Sequence, residues 1–174
     1  MVFAVSANQV VQPKETKVIN GKKLTALALL LALPYAAQAQ LVDKKALTLA
    51  EARKAIAAAT AEAKANNWNV VIAVVDDAGY PLTIDRLDNT QRPSVDIAVG
   101  KAKSAALFRR STAALEEAIN KGRTALLSAE GHVFMQGGVP IVVNGEVIGA
   151  VGVSGVRSDQ DEQVATAGVK AVGR

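Results

Sequence analysis

The sequence predicts an α+β domain in which helices flank an antiparallel sheet. Three observations carry this. Val70–Leu87 and Val139–Val153 each read as two strands joined by a tight turn. Helical patterns precede, separate and follow them, in the order helix, hairpin, helices, hairpin, helix. The first strand of the first pair, VVIAVVD over Val70–Asp76, is apolar on both faces and so belongs at the centre of a covered sheet. Hairpins in place of βαβ repeats make the sheet antiparallel.

The chain opens with a segment set apart from that domain. Lys22-Lys23 precede the apolar run Leu24–Leu33, then Pro34 and the small-residue pattern Ala37-Gln38-Ala39. A basic region, a short apolar region and an A-x-A site read as a secretory signal cut between Ala39 and Gln40. The apolar run is short for a bilayer span. With no cysteine after it, no lipid anchor is expected. Residues 1–39 are thus an N-terminal extension with a secretory signal, and 40–174 the functional domain, expected in a periplasmic or extracellular space without a stable membrane anchor. Residues 1–20 are longer and more polar than a signal needs and read as an upstream extension or a cloning remnant.

Thr48-Leu49-Ala50-Glu51 is a capping-box pattern and starts the first helix, with Leu49, Ala52, Ile56 and Ala59 on its buried face and Asn66-Asn67 at its end. The first hairpin pairs Val70–Asp76 with Leu82–Leu87 across the turn Asp77–Pro81, placing Leu82, Ile84 and Arg86 on one face. Ser94 is the expected cap of a helix to Phe108, with an alanine-rich stripe. Ser111 or Thr112 caps a shorter helix to Asn120. Lys121–Gln136 is the least periodic part of the domain, with one helical turn near Thr124–Leu127. In the second hairpin, Asn144-Gly145 is a type I′ turn signal. Gly149 and Gly152 interrupt the strand that follows and mark close approach by a helix, a neighbouring subunit or a ligand. Ser158-x-x-Asp161 caps the last helix, where Asp159, Asp161 and Glu162 suit the positive end of the helix dipole.

Composition removes several functions. The chain of 174 residues has no cysteine and one histidine, which excludes disulfides, thiolate metal sites and a multi-histidine zinc site within one subunit. The net charge of +4 is concentrated in residues 1–39; residues 40–174 carry only +1, with the signs interspersed, so no nucleic-acid partner is expected. Gly152-Val153-Ser154-Gly155 is not the G-x-S-x-G of a nucleophile elbow, and neither G-x-G-x-x-G nor a Walker lysine is present. Asp76, Asp77, Asp85 and Asp88 crowd the first hairpin, where turn chemistry and surface charge account for them better than a hard cation does.

Two long blocks carry a resemblance. GGVPIVVNGEVIGAVGVSG with the following SDQDEQVATAG, and VVDDAGYPLTIDRLDNTQRPSVDIAVGKAKSAALF, are similar in order and spacing to the GlcG/HbpS family of haem-binding proteins, the DUF336 domain. The resemblance runs from about Thr48 to the C-terminus. It implies a profilin-like three-layer α/β/α fold with a five-stranded antiparallel sheet, the fifth strand falling around His132–Met135. It also implies haem as cofactor and a homo-oligomer.

Haem needs an apolar slot, cations near its propionates and often an axial donor. The donors after residue 39 are His132, Met135 and Tyr80, with Thr112 as a weak oxygen contact. His132 reads either as the ligand to the haem iron or as a solvated loop histidine. Arg109 and Arg110 read as propionate partners or as surface charge at a helix end, and Arg86 as a weaker candidate. The functional expectation is an exported protein that sequesters, transports or senses haem, with weak degradation as an extension and no catalytic residues assigned. Two alternatives stand beside it. One is an oligomeric accessory protein for a sensor, without a cofactor. The other is a binder or enzyme for a small organic acid related to glycolate metabolism, held by Arg109, Arg110 and glycine-loop amides.

Overall fold

A computed structural model of the chain describes residues 43–173. The predicted signal and its cleavage site lie outside the described residues. The elements are α1 (Leu49–Ala65), β1 (Val71–Asp76), β2 (Pro81–Arg86), α2 (Ser94–Phe108), α3 (Thr112–Asn120), a 3-10 turn (Thr124–Ser128), β3 (Gly138–Val143), β4 (Glu146–Ser154) and α4 (Ser158–Lys170). The strands form one open antiparallel sheet in the order β2-β1-β4-β3.

The sheet divides two cores, as the two-faced apolar β1 requires. Val70, Ile72 and Val74 pack with Ala52, Ala55, Ile56 and Ala59 of α1 and Val164 and Ala165 of α4. Val71, Ala73 and Val75 meet Ala98, Ala102, Ala105 and Ala106 of α2 on the other side. Helices therefore cover both faces, and α2 lies nearest the candidate site.

Four strands form among the described residues, where five were expected. His132–Met135 is irregular chain. Its neighbourhood spends backbone donors on side chains: Val133 N–H donates to Ser104 Oγ (2.9 Å) and Gln136 N–H to Glu116 Oε2 (2.7 Å). A fifth strand would need such donors for a ladder.

Local signals explain the turns. Thr48 Oγ1 accepts the Glu51 N–H at 3.2 Å, while the Glu51 carboxylate turns to Lys54 and the Gly173 N–H. Ser111, not Thr112, caps α3, its Oγ accepting the Ala114 N–H. Asn144 and Gly145 take φ of 53° and 83°, the two positive values of a type I′ turn. Asp76 Oδ1 accepts the Ala78 and Tyr80 N–H groups, and Asp77 pairs with Lys44, so both carboxylates serve the first turn and its surroundings.

Three expected details change. A register shift at Val74/Val75 makes Leu82 an extra residue, so it packs towards α1 while Ile84 and Arg86 pair with Ala73 and Val71 on the α2 side. Pro93 stands at the N-cap of α2, and Ser94 is its buried first residue. Arg157 stands at the N-cap of α4, where Gln160 Oε1 accepts its backbone N–H. Asp161 is thereby released from capping. It pairs instead with Lys101 in the interior, with Nζ–Oδ2 at 2.7 Å.

Candidate functional site

His132 sits where α2 meets the loop before β3. Ser104 and Phe108 are four residues apart on α2 and so share one helix face. Ser104 is fully buried; its Oγ takes the Val133 N–H and lies 3.4 Å from His132 Nδ1. The Phe108 ring meets His132 edge-on, with centroids 5.0 Å apart, and Phe134 stacks on His132 at 6.0 Å. Phe108 and Phe134 close the triangle edge-to-face at 5.4 Å. Ser104 fixes Nδ1, which leaves Nε2 as the ring nitrogen without a hydrogen-bond partner among the described residues.

His132 and Phe134 border a groove of about 290 Å³, lined also by Glu116, Ile119, Asn120, Leu127 and Met135. Leu127 and Met135 are exposed at its mouth. Gln136 pins the loop beyond, its N–H on the Glu116 carboxylate and its side-chain amide on Glu162. The volume falls at the lower end of the range for small-molecule pockets, so a ligand as large as haem would project from it.

Burial lowers the His132 pKa from its ordinary 6.5, and the nearby Lys103 charge adds to the effect. The ring is therefore neutral near pH 7, the form that ligates metals. On acidification an unfolded chain binds this proton first, so the His132 contribution to stability falls between 6.5 and the lowered value. In an NMR pH titration of the ring protons we expect a midpoint below 6.5.

The candidate residues distribute unevenly. His132 and Met135 line the same groove. Arg109 and Arg110 follow Phe108 directly, are exposed, and join no ion pair among the described residues. Arg109 takes a left-handed φ of 54° as it ends α2. Tyr80 is 72% exposed in the turn between β1 and β2 and does not line the groove. Thr112 is buried, and its hydroxyl accepts the Gly138 N–H at 2.7 Å, which ties α3 to β3. Arg86, at the end of β2, donates to the Thr90 carbonyl in the loop that follows.

Sequence reasoning did not single out Ser104, Glu116 or the Lys101–Asp161 pair. The spacing of Ser104 and Phe108 puts them on one face, but nothing local says that a loop 28 residues onward lands there. A larger groove of about 690 Å³ runs between α1 and β2, lined by Arg53, Thr60, Lys64, Thr83 and Asp85 among others. It has no aromatic ring and no nitrogen or sulfur donor suited to iron, so the smaller groove is the better candidate for haem.

Comparison with known proteins decides the family. The family described as "Haem degrading protein HbpS-like" matches residues 47–170. The chain belongs to the HbpS-like family. Protein GlcG of Escherichia coli K12 is 50% identical over 99 residues, 57% of this chain and 74% of that protein. Among solved structures, a double mutant of HbpS from Streptomyces reticuli superposes with a TM-score of 0.73 at 34% identity, covering 82% of this chain and 99% of that one. A PduOC–haem complex superposes with a TM-score of 0.67 at 25% identity, covering 74% and 96%. The fold and the family are thus those of HbpS-like proteins, and one similar fold has been solved with haem.

Proposed function

We propose that this protein binds haem outside the cytoplasm, with His132 at the iron. The observation that carries the reading is a neutral histidine held by Ser104 and two phenylalanines at an apolar groove, with Nε2 unpartnered. Ile119, Leu127, Phe134 and Met135 supply apolar contact for one edge of the macrocycle. Met135 is the second soft donor at the same groove. Arg109 and Arg110, just beyond Phe108, are the cations for the propionates. Thr112 stays in the core and Tyr80 lies apart, so neither belongs to this set. Haem, when bound, supplies a redox-active iron.

Export rests on the basic, apolar and A-x-A pattern before Gln40. Sequestration, transport and sensing are roles that such binding supports; degradation is the activity named in the family's description. The small volume of the groove and the exposed Leu127 and Met135 at its mouth favour a homo-oligomer in which a second copy covers the projecting part of the ligand.

A hemin titration followed in the Soret region tests the reading. Wild type is expected to saturate at one haem per subunit or per dimer. His132→Ala should lose saturation or change the spectrum. Saturation with an identical spectrum in the variant would remove His132 from the iron and point to Met135. No saturable binding by wild type would overturn the haem reading.

A further inference from the structure

We propose that Ser104 is a positioning residue that sets the tautomer of His132, so that the ligand-free site presents an Nε2–H donor to the groove. The inference rests on His132 being the group that meets the ligand.

The Ser104 hydroxyl has one proton and two lone pairs. The Val133 N–H can only donate, so at 2.9 Å it occupies one lone pair. The other neighbour of Ser104 Oγ is His132 Nδ1 at 3.4 Å. Two arrangements satisfy that contact. In one, the Ser104 proton points at Nδ1, and the neutral ring carries its own proton on Nε2. In the other, Nδ1–H donates to the second lone pair, and the Ser104 proton must find another acceptor. Among the described hydrogen bonds Ser104 Oγ reaches no carbonyl, not even that of the preceding helical turn. Ser104 is fully buried, so water does not take that proton either. A buried hydroxyl donor left unpaired is costly, and the first arrangement avoids it.

The consequence is chemical selection at the groove. In the resting protein the outward nitrogen is a hydrogen-bond donor, suited to an oxygen acceptor on a ligand. A metal needs the Nε2 lone pair. Iron coordination therefore requires the ring to give up the Nε2 proton and take one at Nδ1, with no net change in protons. Ser104 then turns from donor to acceptor towards the ring, and its own proton reaches the carbonyl one helical turn back only by a change of rotamer. Ser104 thus biases the free site against the metal-ligating form. A serine-to-alanine change removes that bias together with the Val133 anchor.

The test uses the full-length ligand-free protein labelled with nitrogen-15, so it is independent of whether haem binds. Long-range proton–nitrogen correlation spectra of the single histidine, taken at pH 8, report which ring nitrogen carries the proton. Wild type is expected to show Nε2 protonated and Nδ1 unprotonated. Ser104→Ala is expected to move the populations towards Nδ1–H while far-UV circular dichroism stays unchanged. A wild-type ring protonated on Nδ1 overturns the proposal. So does a folded Ser104→Ala protein with the wild-type tautomer. If Ser104→Ala does not fold, Ser104→Cys, whose thiol is a weaker donor, is judged by the same criterion. A failed hemin titration beside an Nε2–H spectrum would sink the haem reading and leave this one standing.

Discussion

Gly152→Val is expected to lose more than about 3 kcal/mol of folding stability, a large part of what a domain of this size has. A Cβ on Gly152 would sit 2.1 Å from the Ala98 carbonyl oxygen and 2.5 Å from the Ala102 backbone nitrogen, both in α2. No side-chain rotation relieves a clash with helix backbone. Gly152 also pairs with Ala73 on β1 and with Gly138 on β3, which makes a row of small residues across three strands. The helix rests on that row: a Cβ on Gly138 would lie 2.4 Å from the Lys101 carbonyl oxygen. The helix can neither retreat nor slide without vacating the alanine core it shares with Ala73 and Ala150. Urea unfolding followed by circular dichroism measures the loss, and Gly152→Ala should show a smaller one in the same direction. A midpoint equal to wild type for Gly152→Val would mean that α2 does not approach β4 this closely.

Lys101→Met is expected to cost about 3–5 kcal/mol, and Asp161→Leu a similar amount, while the double variant recovers most of the loss. Both side chains of the pair are only 3% exposed. Lys101 comes from α2 and Asp161 from α4, so the pair joins the helices on opposite faces of the sheet, beside Gly137. Removing one partner strands the other charge in the interior; the backbone N–H of Val156, at 3.2 Å, is the other donor to Asp161. Replacing both leaves packing without a charge. A double-mutant cycle in urea reads the coupling, and single variants that cost less than about 1 kcal/mol would show the pair to be solvated. The pH dependence has a definite sign. Burial pushes the Asp161 carboxyl above its ordinary 3.8, and the Lys101 ammonium opposes this without cancelling it. The folded protein then holds that proton more tightly than the unfolded chain. Stability from this group therefore declines as pH rises from 3.8 through the raised value. Lys101→Met removes the opposing charge, so its deficit relative to wild type should shrink on acidification.

These two effects lie in the part of the molecule that was only half legible in the sequence. The glycines of β4 announced a close approach, and a helix was among the three candidates for what approaches. Which one it is depended on the order of strands, because α2 reaches Gly152 only once β4 lies between β1 and β3. Asp161 read as a dipole-favoured acid in the first turn of a helix. Local pattern accounts for an acid in that turn equally well whether it faces water or the core. The shift of the N-cap to Arg157 and the arrival of Lys101, 60 residues earlier in the chain, decided the matter.

What the sequence by itself determined is the helix-flanked antiparallel sheet, though not its expected fifth strand, and the family. The apolar strand runs, the Asn144-Gly145 turn and the cap at Thr48 are local devices, and local physical chemistry settles them; it left the α3 cap open between Ser111 and Thr112 and named Ser158 where Arg157 stands. The two long blocks likewise sufficed to identify an HbpS-like chain; the donors came from elimination, which left His132, Met135, Tyr80 and Thr112 side by side. What only the tertiary structure decided is which of the candidates meet. Thr112 and His132 are both polar residues near helix ends or loops, yet one hydroxyl is spent on Gly138 inside the core and the other ring is set at the groove by Ser104. The irregular chain at His132–Met135 has the same cause, since the Val133 N–H goes to Ser104 and that of the adjoining Gln136 to Glu116, on two different helices. Such contacts depend on where separate elements dock, and docking is set by the shared core, which no short window of sequence contains.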